Sequence, residues 1–285
     1  MCDYIKNNDT IIFSPTFHKP LDINLIYKYK KIIFSQYKLS YELFDRYNNN
    51  NFDHMIKEIS SFNQPINNLP RTITYLRFGC NFNKPVDNLI DGTIYKMTYL
   101  HFGFHFNQSV DKLPNSLTHL IFDNCFNQSV DKLPNSLTHL IFGDCFNYPV
   151  NNLPSSLTYL SLGYYFNKSL NNLPSSIIFL RLECCNLDDN NILNDSIEEL
   201  ELGFGFDSNL LNLPSSIKKI SFDKESNFNR ELNCLPTFIE FIQLPKFYCK
   251  FLSVTPIGLK KIQCHCSYPF KTNLTNKNIY VETYF

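Results

Sequence analysis

Residues 106–125 read FNQSVDKLPNSLTHLIFDNC, and residues 126–145 read FNQSVDKLPNSLTHLIFGDC. The two stretches differ only at Asp123/Gly143 and Asn124/Asp144, so the chain repeats itself every 20 residues. The pattern runs on as FNYPVNNLPSSLTYLSLGYY from Phe146 and FNKSLNNLPSSIIFLRLECC from Phe166. Looser copies begin at Phe62 and Phe82 and, further on, at Asn186, Phe206 and Phe228; a last copy shows through Pro236–Leu244 and Thr255–Cys264. The Phe82 copy is four residues longer, through an insertion around Asp91–Met97. Counted end to end there are about ten copies, and a period this short points to a stacked solenoid.

One copy already dictates its local structure. Leu120 and Phe122 lie two residues apart and so share a face of a strand, with Leu117 turning inward where the chain enters it. Gly143 follows the strand of its copy, where a tight turn is expected. Phe126 and Val130 add apolar anchors, and Leu133 leads into Pro134, which breaks regular structure. About eight residues separate Phe126 from Pro134, too few for a crossover helix, so the return path is expected to be extended chain and turns. A unit this small buries its apolar face only against its neighbours. Each strand should therefore pair in parallel with the strand one copy away.

The 285 residues carry 26 basic and 26 acidic side chains. A net charge of zero gives no argument for nucleic acid or an anionic membrane as partner. The N-terminal MCDYIKNNDTIIFSPTF has no basic-then-apolar leader, and no stretch approaches 18 apolar residues. A non-secreted, cytoplasmic protein with free thiols is expected. Sequons such as those at Asn8, Asn107, Asn127, Asn167 and Asn273 should then be unused, and Asn107, Asn127 and Asn167, at one repeat position, are expected to be buried. Residues 1–61 read as an N-terminal cap with degenerate repeats: FHKPLDIN from Phe17 resembles a repeat start, KKIIF its strand, and FDHMIKEI from Phe52 ends where another strand should lie. The alternative is a small separate helical module, with Tyr41–Tyr47 as a short helix. Residues 62–264 form the repeat array, and 265–285 read as a C-terminal cap.

The signature FNxxVxxLPxSLxxLxFG resembles the FNIP repeat, a short relative of the leucine-rich repeat abundant in social amoebae and in giant viruses that infect them. The resemblance implies a leucine-rich-repeat-like stack with one parallel β-sheet and mostly non-helical return segments, in an amoeba or the cytoplasm of an amoebal host. It aligns Leu117, Leu120 and Phe122 with the leucine-rich core, and Cys125, Cys145 and Cys185 with an inward Asn or Cys position. The column Asn63, Asn83, Asn107, Asn127, Asn147, Asn167 and Asn229 becomes a second inward polar row, each amide able to satisfy turn backbone.

Residues flanking the inward ones point out of the sheet. One outward column runs Tyr75, Tyr99, His119, His139, Tyr159, Phe179, Glu199, Lys219; the next runs Arg77, His101, Ile121, Ile141, Ser161, Arg181, Glu201, Ser221. Six consecutive positions of the first column carry a ring. Rings are enriched in protein interfaces, and they also stack between strands to stiffen a sheet; both readings stay open. Catalytic signals are missing. No phosphate loop, zinc-protease or nucleophile-elbow motif is present. His119 and His139 lack a third ligand, Cys249, Cys264 and Cys266 lack zinc-finger spacing, and Ser116, Ser136, Ser156 and Ser176 follow prolines, where they turn the chain. The expectation is a non-catalytic scaffold without cofactor, binding another protein through Tyr75, Arg77, Tyr99, His101, His119, Ile121, His139, Ile141, Tyr159, Phe179, Arg181, Glu199 and Glu201. The alternative is the substrate-recognition subunit of a ubiquitin ligase. It comes from the family resemblance and needs an adaptor-binding helical module within residues 1–61.

Overall fold

The computed structural model describes residues 3–35, 61–66, 69–89, 96–184, 187, 192–275, 277 and 279–285. It divides into two compact units, residues 1–137 and 138–285.

Among its described residues the first unit holds six strands: β1 (Tyr4–Asn7), β2 (Thr10–Phe13), β3 (Lys31–Phe34), β4 (Tyr75–Arg77), β5 (Tyr99–Phe102) and β6 (His119–Phe122). β2 through β6 are parallel neighbours in chain order, and β1 folds back antiparallel on β2. Among the described residues of this unit, helix is confined to α1 (Ile23–Ile26), capped by the Asp22 carboxylate, and a 3₁₀ turn at Asp87–Leu89. The second unit holds β7 (His139–Ile141), β8 (Tyr159–Leu162), β9 (Phe179–Leu182), β10 (Glu199–Leu202), β11 (Lys219–Phe222), β12 (Phe241–Gln243), β13 (Lys261–His265) and β14 (Tyr280–Tyr284), each parallel to the next. The short helix α2 (Lys271–Thr275) precedes β14. The chain is a largely non-helical, mostly parallel β-solenoid of leucine-rich-repeat type.

The register follows the sequence period. Leu160 pairs with Leu180 and Leu200 with Ile220, each 20 residues on. Where the sequence step is longer, as from Tyr75 to Tyr99 or Lys219 to Phe241, the pairing still matches like with like. Between β11 and β12 the extra residues lie in the return path. FHKPLDIN follows β2, and KKIIF supplies β3. Tyr41–Tyr47, FDHMIKEI and most of the Asp91–Met97 insertion lie outside the described residues.

The core is built from the inward columns. Leu117, Leu120, Phe122, Phe126 and Val130 are all at most 2% exposed. Strand and return-path phenylalanines interleave: Phe102 lies 3.7 Å from Phe106 and 5.5 Å from Phe122, while Phe106 lies 6.1 Å from Phe126. Ring spacing between the same two coils widens through the thickness of the stack. It is 4.2 Å for Tyr75–Tyr99 outside the sheet, 5.6 Å for Phe78–Phe102 just inside, and 6.1 Å for Phe82–Phe106 on the return path. In the next pair of coils the outer rings stand further apart, with Tyr99–His119 at 6.0 Å against 5.5 Å for Phe102–Phe122, so ring spacing follows the side chains present.

Polar side chains tie coil to coil. Asn83, Asn107, Asn127 and Asn167 each donate their backbone N–H to the side-chain oxygen of the Asn one copy earlier, at 3.0 Å. Cys249 N–H does the same to Asn229. This row is not buried as expected: Asn107 and Asn127 are half-buried, and Asn63 and Asn167 are exposed. The amide need only reach the next coil, because the preceding Phe fills the interior. For the same reason Cys125 and Cys145 are half-buried rather than inward; Cys185 lies outside the described residues. The post-proline serines donate to the carbonyl of the residue beginning the previous strand segment: Ser116 to Met97 at 2.8 Å, Ser176 to Leu157 at 2.7 Å and Ser216 to Ile197 at 2.7 Å. None of the described glycines has a positive φ, and after β5 and β8 glycine serves close approach instead. A Cβ on Gly103 would strike the Gly79 carbonyl, and one on Gly163 the Gly143 carbonyl.

Candidate protein-interaction face

Alternation on each strand turns the flanking residues outward. Leu76, Leu100 and Leu120 are buried, while Tyr75, Arg77, Tyr99, His101, His119 and Ile121 on either side of them are half-buried. In the first unit Tyr75 stacks on Tyr99 with planes 7° apart, and Tyr99 lies 6.0 Å from His119. Burial pushes the Tyr99 phenol upward, reinforced by Tyr75. The Thr118 hydroxyl lies 2.9 Å from the Thr98 carbonyl and 2.9 Å from His119 Nδ1. A hydroxyl has one proton, and the carbonyl can only accept it. Nδ1 is then the donor to Thr118, and the neutral ring presents Nε2 as an acceptor. Burial lowers the His119 pKa.

The second outward column of this unit is polar. His101 Nε2 lies 3.1 Å from Asp123 Oδ1. Beside it Arg77 is half-buried, its Nε is shut off from solvent, and that atom has no hydrogen-bond partner among the described residues.

In the second unit His139, Tyr159 and Phe179 form another stack, at 5.4 Å and 4.3 Å, with Ile141 beside them on β7. Burial, with Glu201 nearby, pushes the Tyr159 phenol upward. The rings then give way to ions. Arg181 donates from Nε to Glu183 at 2.7 Å and also engages Glu201. Burial opposes its charge, but the two carboxylates outweigh that and hold its pKa above the usual guanidinium range. Lys219 pairs with Glu199 at 2.9 Å and Lys261 with Glu282 at 2.8 Å, each across paired strands.

The structure thus brings Tyr75, Arg77, Tyr99, His101, His119 and Ile121 together on one unit, and His139, Ile141, Tyr159, Phe179, Arg181, Glu199 and Glu201 on the other. Sequence reasoning missed Asp123 and Glu183, which hold His101 and Arg181. Both stand at the post-strand position occupied elsewhere by Gly79, Gly103, Gly143, Gly163 and Gly203. A carboxylate breaking a glycine column was the available signal. Among the described residues no group of three or more His, Cys, Asp and Glu side chains could hold a metal. Cys264 is buried, and burial pushes its thiol upward, away from nucleophilic use. Among the described residues no helix is long and apolar enough to cross a membrane.

Short parallel strands, one per coil of about 20 residues, with leucine-rich inward columns and one outward sheet face, define a leucine-rich-repeat-like solenoid. Residues 106–145, 126–152 and 148–185 match the family model of the FNIP repeat. The repeats of residues 106–185 are thus similar to FNIP repeats, which are leucine-rich-repeat-like. No curated protein matches it significantly. It is similar to the giant-virus protein CroV588, whose crystal structure is a novel circular leucine-rich-repeat structure, at 27% identity and a TM-score of 0.59. That match covers 93% of this chain and 48% of the other, so the chain spans about half the length of that relative. A repeat solenoid of this kind is consistent with scaffolding protein–protein interactions.

Proposed function

We propose that this chain is a non-catalytic interaction scaffold that binds another protein through the outward face of its sheet. The observation that carries the reading is the pair of ring stacks, Tyr75–Tyr99–His119 and His139–Tyr159–Phe179. Half-buried rings locked by their neighbours lose little freedom on binding and offer large apolar area with polar edges. Each stack crosses three paired strands, so a partner lying on it touches several strands at once. The reading requires no cofactor and no membrane.

The test is a pull-down from amoebal lysate with the intact chain and with a variant carrying Tyr99→Ser, His119→Ser, His139→Ser and Tyr159→Ser, after matching their circular dichroism and thermal melts. A protein retained by the intact chain and lost by the folded variant is expected. Equal capture by both would reduce the rings to sheet packing and overturn the reading.

A further inference from the structure

The two arginines of the second outward column provide an internal comparison. Arg77 on β4 and Arg181 on β9 each follow a buried leucine and occupy the same place in their coils. Arg181 is held by Glu183, two residues on, and by Glu201, its partner on the next strand. At the matching positions Arg77 finds Gly79 and His101. On its other side it pairs with Ile33. The nearby Asp123 carboxylate is engaged by His101. Arg77 is therefore a half-buried cation without an ion pair among the described residues, with a buried, unpartnered Nε. That Nε is closed to a partner as it is to water, so an acceptor from outside meets the outer nitrogens of the guanidinium fork, whose shape and charge favour a carboxylate.

Resting on the scaffold reading, we propose that Arg77 receives an Asp or Glu side chain of the bound protein, presented on an acidic segment whose neighbouring apolar residue lies on the Tyr75–Tyr99 stack. The partner's carboxylate takes the place that Glu183 and Glu201 fill for Arg181. Charge complementarity favours a peptide over nucleic acid. Between β3 and β6 the two outward columns hold only Lys31 and Arg77 as permanent cations, whereas a nucleic-acid groove follows its phosphates with a run of them.

The experiment selects a displayed library of random peptides on the full-length chain. Enriched sequences, made synthetically with a fluorophore, are titrated against the wild type, Arg77→Gln, His101→Glu and Tyr99→Ser, all first shown to fold by thermal melt. The enriched peptides are expected to share an acidic residue. Exchanging it for its amide should weaken wild-type binding about tenfold or more, and on Arg77→Gln the acidic and amide peptides should bind alike. His101→Glu supplies from within the chain the carboxylate that Glu201 gives Arg181. It should abolish the preference while leaving the arginine in place, so that a loss seen with Arg77→Gln cannot be a folding artefact. Peptides that need Tyr99 but not Arg77 would overturn this proposal and leave the scaffold reading standing. Peptides that need neither would likewise overturn this proposal, and the scaffold reading would then stand or fall with the His139–Tyr159–Phe179 stack. An acidic preference that survives Arg77→Gln, or no enriched peptide at all, overturns it too, as does a thymidine oligomer binding through Arg77 more tightly than any peptide.

Discussion

At the scale of single residues, inward and outward positions of the same coil should differ sharply in what they contribute. Phe126 is 1% exposed, with Phe122 3.7 Å away and Phe106 6.1 Å away. Phe126→Ala is expected to cost about 3–5 kcal/mol in chemical denaturation, through lost burial and an unfilled cavity. His119→Ala, on the half-buried outward column, should cost much less; equal costs would mean that the faces have been assigned the wrong way round. His119 also gives a pH signature. Burial lowers its folded pKa, so below the unfolded value of about 6.5 the unfolded chain binds more protons. The stability tied to the neutral ring is complete above that pH and is lost as the pH falls through it. The denaturation midpoint should drop further between about pH 7.5 and about pH 5.5 in the wild type than in His119→Gln. The inward leucines and phenylalanines were legible in the sequence because alternation is a geometric rule. The role of Asn107 was legible as a repeated amide but not as a half-exposed acceptor, because composition cannot say how far its side chain must reach.

At the scale of the element, the strand with its turn is the unit that repeats, and its turn is set by the neighbouring backbone. Gly163→Ala would push a methyl into the Gly143 carbonyl, which cannot move without breaking its own coil. A loss of about 1–3 kcal/mol is expected from overpacking, read as a lower midpoint with an unchanged denaturant slope. A position whose native φ suited only glycine would be relieved by D-alanine, whereas here either enantiomer should be destabilising. The sequence pointed to the turn but gave the wrong reason for the glycine, since close approach between coils is a tertiary fact. It also left the return path undefined beyond excluding a long helix. The Ser116 and Ser176 bonds to the previous coil explain how an irregular path stays fixed. The change from stacked rings on β7–β9 to ion pairs on β10–β13 was visible as residue types. The Arg181–Glu183–Glu201 group was not, because Glu183 sits at a position otherwise read as a turn.

At the scale of the whole molecule, the described ends of the stack differ. β1 lies antiparallel on β2 and covers its backbone edge, while Tyr4 packs at 6.0 Å against Phe13. Removing residues 1–8 should expose the β2 edge and favour self-association through open strand pairing. Light scattering should then report larger species that the intact chain does not form, and a monodisperse truncated protein would show that β1 is dispensable. This hairpin was not foreseen, since YIKN and TIIF carry no repeat signature. The longest bonds of interest, between asparagines, serines and strands, nearly all connect a residue to one 19 or 20 positions away. A whole coil is therefore a self-contained quantum of inheritance. A stretch of gene one period long can be copied or dropped and the flanking coils still meet compatible surfaces. The near-identity of residues 106–125 and 126–145 bears the mark of such copying. Growth by slippage adds interaction surface one rung at a time, so this lineage can change its reach without inventing a new interior.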